Sequence, residues 1–222
     1  MIIRRKLISL LIIAAGALSC APLAMSQAGT SVNEGDWPNI HGDAAARRYS
    51  PLDQINPDNV GDLEIAWDFS TLHFGVGTDY VNPSTPLEVD GVLYANIGST
   101  RNVVALDATN GQVLWLWRYQ EGDRFDEAPR KGAGRGVSYW SDGESARIID
   151  VSPGYQLVSL DAETGIPDPN FGDNGLVDLY VGVRNGEDDR FAYPDIGLSA
   201  PPFVMNDVIV IGAAHRTGGR PR

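Results

Sequence analysis

The chain is poor in the residues that would give its chemistry away. It has one cysteine, Cys20, and three histidines, His41, His73 and His215, in 222 residues. A single thiol forms no intrachain disulfide, and histidines this scattered have no metal-ligand spacing, so a cystine scaffold and a zinc module are both excluded. Positive charge is also short, with 17 Lys and Arg against 29 Asp and Glu and a net charge of −12. That balance argues against nucleic acid and anionic membrane surfaces as partners, and reads as solubility charge. After Leu18 there is no apolar run long enough to span a bilayer and no sustained helical period. Gly132-Ala-Gly134-Arg-Gly136 lacks the strand-to-helix setting of a nucleotide fingerprint.

The one long apolar run is at the start. Arg4-Arg5-Lys6, the apolar stretch Leu7 to Leu18 and small residues up to Ala28 form the three parts of a secretory signal, too short for a membrane span. Ala24-Met25-Ser26 offers a cleavage site, so residues 1–26 are expected to be a signal peptide and residues 27–222 a periplasmic or secreted chain. A lipoprotein anchored through Cys20 is the lesser alternative, because Ala17 stands where such a box usually has Leu. If Cys20 leaves with the signal, the exported chain has no thiol chemistry, and export here does not imply disulfides.

What is present is β-sheet pattern. Val103, Ala105, Val113, Trp115 and Trp117 alternate on either side of Asp107-Ala-Thr-Asn-Gly111, which predicts a hairpin with one apolar face and a turn supplied by Asn110-Gly111. Leu157-Val-Ser-Leu-Asp-Ala-Glu-Thr-Gly165 repeats the Leu-Asp-Ala-x-x-Gly core, the two aspartates lying 54 residues apart. Each hairpin is preceded by another, Thr85 to Ile97 around Asp90-Gly91 and Ala146 to Leu160 around Ser152-Pro-Gly154, so one unit is four strands. Ala200 to Gly212, with Asn206-Asp207 at its turn, begins a third. Leu63-Glu-Ile-Ala-Trp-Asp-Phe69 alternates as a half-buried strand, and Asp36 to Pro57 reads as an irregular lead-in. The expectation is an all-β chain of about two to three four-stranded units arranged radially, stopping in mid-unit with an apolar edge exposed.

At Arg135-Gly-Val-Ser-Tyr-Trp140 the sequence resembles the quinoprotein dehydrogenases, eight-bladed propellers that use pyrroloquinoline quinone (PQQ). The lead-in Asp36-Trp37-Pro38, with Tyr49-Ser50-Pro51-Leu52 and Gln54-Ile55-Asn56, is similar to the mature start of the glucose-dehydrogenase-like branch. Ala105-Leu-Asp107 with Gly111 and Trp115 resembles the family's tryptophan-docking repeat, although Asn110 stands where Thr is usual and Pro169 where the second Trp would dock.

The resemblance implies a truncated N-terminal part of a PQQ-dependent dehydrogenase that oxidises sugars or alcohols and passes electrons to a respiratory acceptor, ubiquinone or cytochrome c. A non-catalytic periplasmic scaffold that binds proteins is the rival reading. The resemblance places Arg135 beside the carboxylates and quinone oxygens of PQQ, and Ser199 within hydrogen-bond reach of the cofactor. Lys131 occupies the position of a histidine in membrane-bound glucose-oxidising relatives and is a further candidate for the cofactor lining. Pro83 occupies the place of a glutamate, Gly132-Ala-Gly134 the place of an adjacent cysteine pair, and Thr217 lies near the place of a calcium-binding glutamate. No metal ligand is therefore assigned; Ca2+ ligands and the general base are expected outside the chain. Trp115, Trp117 and Trp140 are expected to pack between sheets.

Overall fold

The computed structural model describes residues 33–75, 81–183 and 194–215. The signal segment with Cys20, and Thr217, lie outside the described residues. Two complete antiparallel sheets are formed. The first is β1 (Leu87–Val89), β2 (Val92–Ile97), β3 (Asn102–Asp107) and β4 (Val113–Trp117), in that order. The second is β5 (Ser138–Ser141), β6 (Ala146–Val151), β7 (Gln156–Asp161) and β8 (Leu176–Asp178), again in chain order. A third begins with the hairpin β10 (Phe203–Met205) and β11 (Val208–Val210), flanked by the short pair β9 (Ile196–Gly197) and β12 (Ala214–His215).

The sheets fan from their first strands. The backbone N–H of Thr85, just before β1, donates to Arg135 O just before β5 at 3.1 Å. The Ser138 hydroxyl on β5 donates to Pro202 O just before β10. This is an arc of a β-propeller, as the sequence predicts.

Three apolar clusters alternate with the sheets. Leu87, Tyr94, Val103 and Ala105 of the first sheet pack against Ile148, Val158 and Leu160 of the second. Ile149, Val151 and Leu157 on the far side of the second meet Ile196, Leu198, Val204 and Ile209. On the outer side of the first sheet, Val104 and Leu106 pack against Trp67, Phe69 and Phe74. The central strands are thus apolar on both faces, where the period-two reading expects one. A bulge at Ala105/Leu106 also shifts the register, so Val113 pairs with Leu106 and is left exposed while Trp115 and Trp117 keep the inner face.

One other expectation changes. Leu63–Phe69 is extended but pairs with no strand among the described residues, and Ile65 is 88 % exposed. The helical pieces among the described residues are short, a 3-10 turn at Val60–Asp62 and α1 at Asp123–Glu127, and leave the chain mostly β. The outer face of the third sheet, with Phe203, Met205, Val208 and Val210, is apolar and exposed.

One joint is used twice, between the Leu63–Phe69 segment and the first sheet and between the first and second sheets. The Trp67 indole N–H donates to Ala108 O at 3.0 Å, and the Trp115 indole N–H donates to Ala162 O at 2.9 Å. Each ring lies against a turn glycine at positive φ, where an added Cβ would come within 2.5 Å of the indole: Gly111 under Trp67 and Gly165 under Trp115. The turns are held from within. The Asp107 carboxylate accepts from Thr109 N, Thr109 Oγ1 and Asn110 Nδ2, and the Asp161 carboxylate from Glu163 N, Thr164 N and Thr164 Oγ1. The hydrogen bonds from Thr109 hold the Asp107 carboxyl below the usual carboxylate range.

The joint gives a matched test. Gly143 also has positive φ, but a Cβ there would meet nothing within 4 Å. Gly165→Ala is expected to cost about 2 kcal/mol more than Gly143→Ala, because only the former drives a methyl into an indole. Urea unfolding midpoints of the two variants measure the difference; equal losses would show that the ring contact carries no weight.

Candidate functional site

The loops on the side of the sheets opposite the tryptophan joints converge on one segment, residues 129–136, which joins α1 to β5. Its ends are clamped differently. At the α1 end, Glu121 accepts from the Ser152 hydroxyl at 2.6 Å and from Gly154 N at 2.9 Å. Arg124 forms a fork on Asp178 at 2.9 and 2.6 Å while its Nε donates to Gly154 O at 2.6 Å. That pairing raises the Arg124 pKa and lowers that of Asp178, each through its hydrogen bond to the other. At the β5 end the loop rests on buried polar groups of the first two sheets. Asn96 Nδ2 donates to Gly136 O at 3.0 Å, and the wholly buried Arg101 donates to Gly132 O and Arg130 O at 3.3 and 3.0 Å.

Arg135 rides at the top of this segment. Gly134 and Gly136 on either side of it are buried, while Arg135 itself is exposed, and among the described residues its guanidinium has no ion-pair partner. A five-donor fork is thereby offered to solvent from a fixed backbone. Pro83 lies two residues from Thr85, whose N–H is tied to Arg135 O, so it belongs to the same neighbourhood. Ser199 is half-buried with no hydrogen bond from its hydroxyl among the described residues, and it follows Leu198, whose carbonyl is tied to Arg101.

Lys131 is placed differently from the other two. Its ammonium donates to Asp126 O at 2.7 Å and lies 5.0 Å from the centre of the Phe125 ring, so it closes the end of α1. A helix carbonyl and a ring face already satisfy its charge. The histidines remain apart. His41 is half-buried beside Val137 and Pro202, whereas His73 and His215 are exposed. Among the described residues no group of three His, Cys, Asp or Glu side chains could hold a metal ion. Trp115 and Trp117 pack against the cluster between the first two sheets, and Trp140 lines a cavity of about 280 Å³ between the second and third.

Three side-chain polar atoms are buried without a partner among the described residues: Ser84 Oγ, Asn96 Oδ1 and Arg130 Nε. All three lie on segments that meet at residues 130–136. Buried polar groups in native proteins are nearly always satisfied, so orphans gathered at one loop, beside an unpaired arginine, mark a place built for a polar ligand or ordered water. An exposed cation, a free hydroxyl and orphaned polar atoms suit a rigid, multiply carboxylated molecule such as PQQ.

Sequence reading misses Arg101 and Asp150. Asn96 and Asp150 are equivalent positions of the repeat, and Asn96 Nδ2 lies 3.4 Å from Asp150 Oδ1. Burial pushes the Asp150 carboxyl up to about 7, against the opposing pull of the Arg101 charge and of hydrogen bonds from Val151 N and Asn96. Burial likewise lowers the Arg101 pKa, with Asp150 and Glu121 opposing. Both charged forms are disfavoured by the loss of water. The signal that could have found them is the 54-residue repeat itself, which puts charge where a buried strand end calls for something neutral.

Residues 37–222 match the family described as PQQ: glucose/ethanol/alcohol dehydrogenase, beta-propeller domain. The chain is 30 % identical over 213 residues to the glycerol dehydrogenase large subunit of Gluconobacter thailandicus, covering 91 % of this chain and 28 % of that protein. It is 36 % identical over 163 residues to the dehydrogenase subunit of the quinone alcohol dehydrogenase of Gluconobacter oxydans (strain 621H), covering 68 % of this chain and 20 % of that one. The structure of the quinohemoprotein alcohol dehydrogenase from Comamonas testosteroni superposes with a TM-score of 0.60 at 29 % identity, over 82 % of this chain and 23 % of that chain. The chain therefore spans only about a quarter of the length of the relatives it matches.

The buried carboxyl predicts a pH dependence. Because the folded state holds the Asp150 proton more tightly than an unfolded chain with its pKa near 4, this contribution to stability is fully present below about pH 4 and is lost as pH rises through about 7. Asp150→Asn should therefore narrow the fall in the urea midpoint between pH 5 and pH 8. Parallel pH profiles for variant and wild type would refute the assignment.

Proposed function

We propose a function on one firm premise: this chain belongs to the family of PQQ-dependent glucose/ethanol/alcohol dehydrogenase β-propellers. In this reading it supplies the part of the propeller that carries Arg135 and Ser199 in an exported quinoprotein dehydrogenase oxidising sugars or alcohols. Electrons pass to a respiratory acceptor, either a membrane quinone or cytochrome c. The observation that carries the reading is the unpaired Arg135 guanidinium, held out between two buried glycines over a loop whose neighbours have orphaned polar atoms.

The work of these residues is electrostatic. When bound, PQQ supplies a two-electron acceptor for hydride from the hydroxyl-bearing carbon of a substrate. Arg135 satisfies two oxygens at once and opposes negative charge that develops on the quinone oxygen. It stays protonated throughout and is no base. The Ser199 hydroxyl donates a second, neutral hydrogen bond. Lys131, held at the end of α1, adds to the positive potential of the cofactor lining. The proton acceptor for the substrate hydroxyl and the Ca2+ ligands come from other blades, which also cover the apolar flanks at Ile65 and at Phe203 to Val210.

The test is a titration of PQQ with and without Ca2+ into the protein as its gene encodes it. A quinone absorbance band and dye-linked oxidation of alcohols or sugars are expected. Arg135→Ala should weaken PQQ binding by about tenfold to a hundredfold, the worth of one or two charge-assisted hydrogen bonds. A folded wild-type protein that takes up no PQQ would instead leave the family's architecture serving as a protein-binding scaffold.

A further inference from the structure

Arg101 occupies the last position of the β2–β3 turn, with its backbone in the left-handed region at φ 55° and its side chain 2 % exposed. Both features are costly for an arginine. The guanidinium uses them to reach four backbone carbonyls on three separate segments. Nη1 donates to Val151 O and Leu198 O, each at 2.6 Å; Nη2 donates to Arg130 O at 3.0 Å and Nε to Gly132 O at 3.3 Å. Arg130 and Gly132 belong to the loop that carries Arg135, and Leu198 precedes Ser199. The loop also rests directly on this side chain, since a Cβ on Gly134 would come within 3.0 Å of Arg101 Nε and 2.7 Å of Asn96 Nδ2.

The fold does not itself require a guanidinium here. Tyr155, 54 residues on, is the equivalent residue of the next repeat and shares the left-handed backbone at φ 62°. It ties its sheet to the following one with a single neutral bond, from its hydroxyl to Gly212 O at 3.1 Å. Among the described residues, a charged side chain reaching four backbone carbonyls appears only at the repeat where the Arg135 and Ser199 loops meet.

We propose that Arg101 is a positioning residue for the cofactor cradle, a single buried fork that fixes the Arg135 loop and the Ser199 loop at the separation a rigid quinone needs. It touches neither cofactor nor substrate, and it acts by setting the backbone from which two contacting side chains project. Planarity and five donors are essential to this role. Lysine has the charge but cannot address carbonyls in four directions from one plane, and glutamine has two donors only. The inference rests on the PQQ-dependent reading of the site.

The experiment compares wild type, Arg101→Gln, Arg101→Lys and Tyr155→Phe in the full gene product, reading PQQ affinity by titration, the absorbance maximum of the bound quinone, and the melting temperature of the cofactor-free protein. Arg101→Gln is expected to bind PQQ about tenfold to a hundredfold more weakly, as residues supporting a ligand shell commonly do when removed, and to shift the quinone band. Arg101→Lys should recover little of that loss. Tyr155→Phe should lower the melting temperature while leaving PQQ affinity within twofold. A folded Arg101→Gln that binds within twofold of wild type overturns the inference and leaves the functional reading intact. If Arg101→Gln does not fold, a folded Arg101→Lys decides by the same twofold criterion, and failure of both to fold assigns Arg101 to stability alone. A wild type that binds no PQQ removes the functional reading and this inference with it.

Discussion

Everything in this arc hangs on an indole seated over a glycine turn. Each four-stranded sheet presents an Asp-x-x-x-Gly turn whose carboxylate has already saturated the local donors, leaving a flat glycine face and one free carbonyl, that of Ala108 or Ala162. A tryptophan from the chain just before covers each face and donates to the carbonyl, Trp67 from the unpaired extended segment and Trp115 from β4. Directional bonding and ring contact together fix the angle between neighbouring sheets. Between the first and second sheets that angle brings Thr85 and Arg135 together; the third sheet meets the second through Ser138 and Pro202 and the cluster of Ile149, Val151, Leu157, Ile196 and Leu198.

Between joint and site lies a layer of buried polarity. Asn96, Asp150 and Arg101 sit where strand ends give way to loops, among carbonyls that no ladder satisfies. An apolar core there would leave those carbonyls unpaired, at a greater cost than burying one guanidinium. The layer is not neutral in its consequences. The same burial that lets Arg101 bind four carbonyls denies Asp150 its hydration, so this part of the protein carries proton chemistry close to neutrality although no catalytic step is asked of it.

Much of the fold is legible in the sequence, and the limits are instructive. Asp107 with Gly111 and Asp161 with Gly165 announce the repeat because a turn that binds its own aspartate is a local object, readable from five residues. Arg135 and Ser199 are found through resemblance, and the structure leaves both with free polar groups near one loop system. The strand pattern at Leu63–Phe69 is a true alternation, but alternation reports which face is apolar and not whether a hydrogen-bonding neighbour exists. Lys131 is a lining candidate only through resemblance; its contact with α1, a five-residue helix too short to show a period, is not readable from the sequence. Arg101 is invisible because nothing local distinguishes a buried arginine from an exposed one; only the carbonyls of three distant segments do.

The two joints also differ in the path the chain takes on leaving them. After Gly111 the chain enters β4 at once, whereas after Gly165 it is held to β7 through Asp168, leaves it, and rejoins it at Gly175 to run on as β8. The Asp161 turn is closed by Glu163 and Thr164 and tied to β6 by Arg147, which also holds Asp168, so the first residues past Gly165 stay pinned to the sheet before the chain swings out. The rim of the wheel is therefore the place where added length is tolerated: evolution or an engineer can splice in a segment beyond Asp168, outside the pinned residues, and the spokes will keep their pitch.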